Sequence, residues 1–159
     1  MLQSLAIHSD EIPRHNTPRN GTSCGYTTLP PPILNNCTDP IKKWIPNMTG
    51  DWAGIVEGTN RTHWERIEQC SDRVVITSAG VIHDFPHADG TLEHGVRNDV
   101  GGKTIPRCVP IPPVAGSFDG DCFKLRPLRI ATLVTRCLNH SDGTLTLHWA
   151  NEVVSMKRV

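Results

Sequence analysis

The chain has 159 residues, with 16 basic and 16 acidic side chains that leave no formal net charge. That length supports one domain with a real core. The even charge balance, without a stripe of Lys or Arg, argues against nucleic acid as a partner, and no apolar stretch approaches the ~18 residues that a membrane span needs.

Residues 1 to 49 are rich in Pro, Asn, Thr and Ser, with "TTLPPPILNNCTDP" at their centre. Consecutive prolines favour an extended path, and Pro40 and Pro46 interrupt any helix. We read this stretch as an irregular N-terminal arm packed on, or extending from, a domain of residues 50 to 159. From residue 50 the texture changes to short apolar runs separated by turn signals: "DWAGIVEG", "HWERIEQC", "RVVIT", "VIHDF", "TLEHGV", "CFKLRPLRI", "IATLVTRCLNH", "TLTLHWA" and "EVVSMKRV". Frequent β-branched residues, with Gly or Pro in most windows, leave little room for helix.

Two turns, "ADGT" and "SDGT", carry the Asp-Gly pair suited to a two-residue hairpin connection. About eight strands at spacings of roughly ten residues predict an all-β domain, and consecutive hairpins favour an antiparallel up-and-down barrel over a sandwich. The segment "GGKTIPRCVPIPPVAGSFDGDC" holds four prolines, so it is expected to be a long loop with at most one edge strand.

Six cysteines, Cys24, Cys37, Cys70, Cys108, Cys122 and Cys137, form an even set without a CxxC pair. That favours disulfides, in any of 15 pairings, over a zinc site. The pattern N-x-[ST] occurs five times, at Asn20, Asn36, Asn47, Asn60 and Asn139, where composition alone would give roughly 1.3. Together these counts point to a secreted, glycosylated protein whose leader is absent from this sequence.

If Asp89 and Gly90 form the turn of "VIHDFPHADGTLEHGV", then Phe85 faces His94 and His83 faces Val96. With period-two alternation, His83, Phe85 and His87 share a face with Leu92, His94 and Val96, while Asp84 points the other way. His83 and His87 would lie about 13 Å apart along a strand, too far to share one ion, so no metal is expected. General acid/base chemistry suits imidazole better, with His83 and His94 the candidates. In "RTHWERIEQC", His63, Glu65 and Ile67 share one face, and Trp64, Arg66 and Glu68 the other. Glu65 or Glu68 beside Arg66 could polarise a carbonyl or phenol. In "TLTLHWA", Leu145, Leu147 and Trp149 alternate inward, and Arg136 is expected to sit across from Trp149 on the pocket wall. Trp64, Phe85, Val96, Trp149 and Arg136 are thus the candidate ligand contacts.

The stretch "GDWAG" at the start of the first strand, and Arg158 in the closing "MKRV", resemble the lipocalins and the wider calycin group. The resemblance implies a barrel whose closed end is plugged by Trp52 with Arg158 stacked on it, the other end being open to a small apolar organic molecule. Calycin-like barrels include carriers and also isomerases, cyclases and lyases, and fold does not choose among them. No hydrolase elbow, phosphate loop or HExxH is present, so no cofactor is expected. The function expected is a small-molecule-binding barrel whose enzymatic version is a cofactor-independent isomerase, cyclase or lyase. The alternatives are a carrier of a lipid, pheromone or pigment, and an interaction domain with a filled core. A homodimer is a further option.

Overall fold

The structure is a computed structural model that describes residues 30–78, 81–88, 92–93, 96–97, 103–106, 114–127 and 134–159. Within these residues the chain is all β. The strands are β1 (Gly50–Ile55), β2 (Thr62–Cys70), β3 (Arg73–Ser78), β4 (Val81–Phe85), β5 (Leu92–Glu93), β6 (Val96–Arg97), β7 (Lys103–Pro106), β8 (Val114–Asp119), β9 (Cys122–Pro127), β10 (Val134–Asn139), β11 (Thr144–Trp149) and β12 (Glu152–Arg158). No helix of the described residues is long and apolar enough to cross a membrane.

Nine strands run round an antiparallel up-and-down barrel that is nearly closed, in the order β4-β3-β2-β1-β12-β11-β10-β9-β8. The ends of this ribbon meet past the last residues of β4, where the Phe118 amide donates to the Ala88 carbonyl at 3.0 Å. Phe85 of β4 packs edge-on against Phe123 of β9, with ring centroids 5.1 Å apart. A tenth strand, β7, pairs with the free edge of β4.

Tight turns explain the meander. Ser71 and Ala150 take positive φ at the first position of two-residue connections, as does Gly120 between β8 and β9. Such a φ is easy for Gly and strained for the other two.

Three expectations need correction. The "SDGT" connection has four residues rather than two, since Asn139 pairs with Thr144. Asp142 accepts from the Thr144 amide and hydroxyl, and Gly143 takes positive φ. As a result Val134, not Arg136, lies opposite Trp149. The predicted hairpin of β4 with "TLEHGV" is also absent: β4 pairs with β3 and β7, while Leu92–Glu93 pairs with Val96–Arg97 in a separate two-stranded sheet. The proline-rich segment contributes two strands, β7 and β8, with the prolines at or beyond their ends. Each occupies an edge, which is where a missing N–H is tolerated.

The core fills the barrel axis. At its lower end Phe85, Phe118 and Phe123, all three phenylalanines of the chain, pack with Leu145, Met156 and Trp52. A Cβ on Gly116 would come within 2.5 Å of Phe123, and one on Gly54 within 2.2 Å of the Ser155 carbonyl, so both positions must stay small. Residues 30–49 run along this end: Glu68 accepts from the amides of Ile33 and Leu34, and Gln69 binds Met48 and Pro46. The Cys37–Cys70 disulfide ties the arm to β2, and Cys122–Cys137 staples β9 to β10. Disulfides persist where the surroundings are oxidising, as in the secretory pathway or outside the cell.

Candidate functional site in the barrel lumen

The two ends of the barrel differ in kind. At the closed end the Trp52 indole is fully buried and donates to the Met48 carbonyl at 2.8 Å. Arg158, directly opposite in the β1–β12 register, lies 4.4 Å from the Trp52 ring centroid and donates to the carbonyls of Thr49 and Asn47. Cation–π attraction and two hydrogen bonds thus seal this end.

Above the aromatic layer the lumen becomes polar. Trp52 pairs with Glu65, so Glu65 shares its inward face with His63 and Ile67. Arg136 alternates inward with Val134 and Leu138 on β10, four pairings round the barrel from β2. The two side chains therefore meet across the lumen. Arg136 Nε donates to Glu65 Oε2 at 2.5 Å, and Nη2 donates to Oε1 at 3.1 Å. His63 Nε2 lies 2.8 Å from the same Oε1. Glu65 is 0% exposed and Arg136 6%. A charge pair so deep in the protein survives only with such bidentate geometry and further hydrogen bonds.

The electrostatics follow from this arrangement. Burial alone would raise the Glu65 pKa, but the Arg136 charge and the His63 contact outweigh it and hold the carboxyl well below the usual carboxylate range. His83, on the inward face of β4 opposite Ile76, is 9% exposed and close to the Phe85 ring. Burial, reinforced by Arg136 and partly offset by Glu65, pushes its pKa down from 6.5 to about 4. At neutral pH the layer is therefore one guanidinium, one carboxylate and a neutral His83. One donor is unspent: Arg136 Nη1 is buried and has no hydrogen-bond partner among the described residues. Leaving such a group dry and unpaired costs about 1–3 kcal/mol, more for a charged one.

At the mouth a cavity of about 80 Å³ is lined by Val56, Arg61, His63, Leu147, Trp149 and Val154. His63 belongs both to this cavity and to the ion-pair layer beneath it. Trp149 is 54% exposed there, and Arg61 pairs with Glu152 at 2.7 Å on the rim.

Of the predicted site residues, Glu65, His83, Phe85, Arg136 and Trp149 come together in or above the lumen. Trp64 and Arg66 do not: they lie on the outer face of β2, where Trp64 is buried and Arg66 binds Asp51 at 2.8 Å and the Pro30 carbonyl. The partner expected for Arg66 was Glu65 or Glu68, but strand alternation turns Glu65 inward, and Glu68 is taken by the arm. His94 lies outside the described residues, as do Asn20, Cys24 and Cys108, and Val96 is described only through its backbone pairing with Glu93. Sequence reasoning missed the Glu65–Arg136 pair, whose members are 71 residues apart. The only signal was a charged residue at an inward position of each strand. His63 and Arg61 at the mouth were missed as well. No family model matches the chain, and comparisons with curated proteins and with solved structures likewise find no match.

Proposed function

We propose that this protein is a secreted, calycin-like binding barrel that holds a small organic molecule head-in at its mouth, the head being a carboxylate or another strong hydrogen-bond acceptor. The observation that carries this reading is the buried Arg136 guanidinium, whose Nη1 is the one buried side-chain polar atom among the described residues without a hydrogen-bond partner. Ligand sites are mostly apolar with a few placed polar groups. Val56, Leu147 and Val154 supply apolar wall, and Trp149 offers an exposed ring for the body of the ligand. A cavity of about 80 Å³ is far below the ~300–1,000 Å³ of a pocket that engulfs a drug-sized ligand. It therefore suits one functional group rather than a whole engulfed lipid, with Arg136 in the layer beneath the cavity and His63 as the lining residue that joins the two. The stacked Trp52 and Arg158 at the opposite end support the calycin likeness.

Binding without turnover is favoured over an isomerase, cyclase or lyase. A general base works best with a pKa near the operating pH, and His83 falls to about 4 while Glu65 is locked by Arg136 and His63. The test is a titration of the full disulfide-bonded chain, followed by Trp fluorescence and native mass spectrometry, with matched aryl and short-chain carboxylates, alcohols and amines. Saturable binding of carboxylates, with alcohols and amines weaker, is expected. Absence of binding across the panel, with no co-purifying molecule, would overturn the proposal and favour an interaction domain with a filled core.

A further inference from the structure

The glycosylation motifs are not absorbed by the lumen site, and their placement has its own logic. We propose that the closed end of the barrel carries a collar of three N-linked glycans, at Asn36, Asn47 and Asn139, which leaves the mouth end as the accessible working face. The collar itself rests on the secretory reading, and the role of the mouth as working face rests on the function proposed above.

All three asparagines are exposed, and each lies at the closed end of the barrel. Asn36 precedes Cys37, whose disulfide to Cys70 fixes it beside the β2–β3 turn. The Asn47 carbonyl accepts from Arg158, the residue stacked on the Trp52 plug. Asn139 ends β10, next to the Cys122–Cys137 staple. Asn60 is also exposed but lies in the β1–β2 connection beside Arg61, at the mouth.

The side-chain geometry at two positions suits the chemistry. Asn139 Oδ1 accepts from the Ser141 hydroxyl at 2.7 Å and from its amide at 3.1 Å. Asn47 Oδ1 accepts from the Thr49 amide at 3.0 Å. In each case the oxygen is engaged by the third residue of the motif, and no contact among the described residues occupies Nδ2. The donor is an oligosaccharide on a lipid pyrophosphate. Asn Nδ2 forms a bond to the sugar C1, the bond from C1 to the pyrophosphate oxygen breaks, the lipid pyrophosphate leaves with the electron pair, and Nδ2 gives up one proton. Carbohydrate there would cover the surface around Asn47 and the two stapled hairpin ends with a bulky, solubilising layer. A protein partner would then have to approach from the mouth or the flank.

The test is site mapping on the full chain secreted from eukaryotic cells. Enzymatic removal of N-glycans in heavy-oxygen water converts each occupied Asn to a mass-labelled Asp. Labels at positions 36, 47 and 139 are expected, and a label at 60 as well would overturn the accessible mouth, because Asn60 is exposed there. Any one of the three unlabelled overturns the collar. Alkylation of the same sample without reduction separates the two readings. Missing labels with Cys37, Cys70, Cys122 and Cys137 all blocked as disulfides would overturn the collar alone. Missing labels with these four thiols free would overturn the secretory reading as well.

Discussion

The lower half of the lumen is packed with Phe85, Phe118, Phe123, Met156 and Trp52, whereas the upper half is crossed by a salt bridge and flanked by histidines. Both are buried, yet they contribute differently. Aromatic burial is directly stabilising. A buried ion pair barely offsets its own desolvation. The same barrel could have been closed with apolar residues throughout, so a polar layer in its upper half points to a use other than stability.

Mutations in each half can break this comparison. Phe123→Ala should cost about 3–5 kcal/mol, read as a lower urea midpoint at unchanged m-value. A cost under about 1 kcal/mol would mean that the lower half is not the stabilising one. Arg136→Met should also cost about 3–5 kcal/mol by stranding the Glu65 charge, but the double variant with Glu65→Leu should recover most of that loss. Simple additivity of the two single changes in the double variant would deny the pair its coupling.

Acid sharpens the contrast. The folded-state pKa of His83 lies below its ordinary value of 6.5, at about 4, so between these values the unfolded chain binds the extra proton. Stability from this group is fully present above pH 6.5 and falls by about 3 kcal/mol as pH drops to 4. Glu65, also depressed, adds a further loss below its ordinary carboxylate range. Denaturation midpoints at a series of pH values should show the first limb disappear in His83→Gln. Its persistence would assign the limb to other groups.

Smaller effects refine the ends. Arg158→Ala should cost about 1–2 kcal/mol through the lost Trp52 stack and two hydrogen bonds, leaving carboxylate affinity unchanged by titration. Ala150→Gly, at a positive-φ turn position near the mouth, should raise stability by about 1 kcal/mol in the same denaturation assay. A loss there would mean that the alanine methyl makes a contact worth more than its strain.

Sequence reading reached the barrel and its closed end because both rest on local signals. Strand alternation put His63, Glu65 and Ile67 on one face of β2, and the Gly50–Trp52 start with the terminal Arg158 marked the plug. It failed where partners are distant. The hairpin drawn through Asp89 and Gly90 assumed that neighbouring strands pair, but the free edge of β4 is taken by β7. One extra pair of residues in the β10–β11 connection moved Arg136 away from Trp149, although it kept its inward face. Local pattern thus puts Arg136 on the pocket wall for the wrong neighbour, and offers its true partner, Glu65, or else Glu68, to Arg66. Closure of the barrel brings β2 opposite β10, and no short-range pattern encodes that meeting.

The central claim is that the upper lumen binds an acceptor through Arg136 while the lower lumen only supports it. Calorimetric titration of the tightest carboxylate against wild type, Arg136→Lys and Phe123→Leu tests it directly. Lysine keeps the charge opposite Glu65 but removes the planar fork. We predict that Arg136→Lys weakens binding about tenfold or more, or about 1.4 kcal/mol, while Phe123→Leu loses stability and keeps its affinity. Equal affinity in wild type and Arg136→Lys would contradict the account.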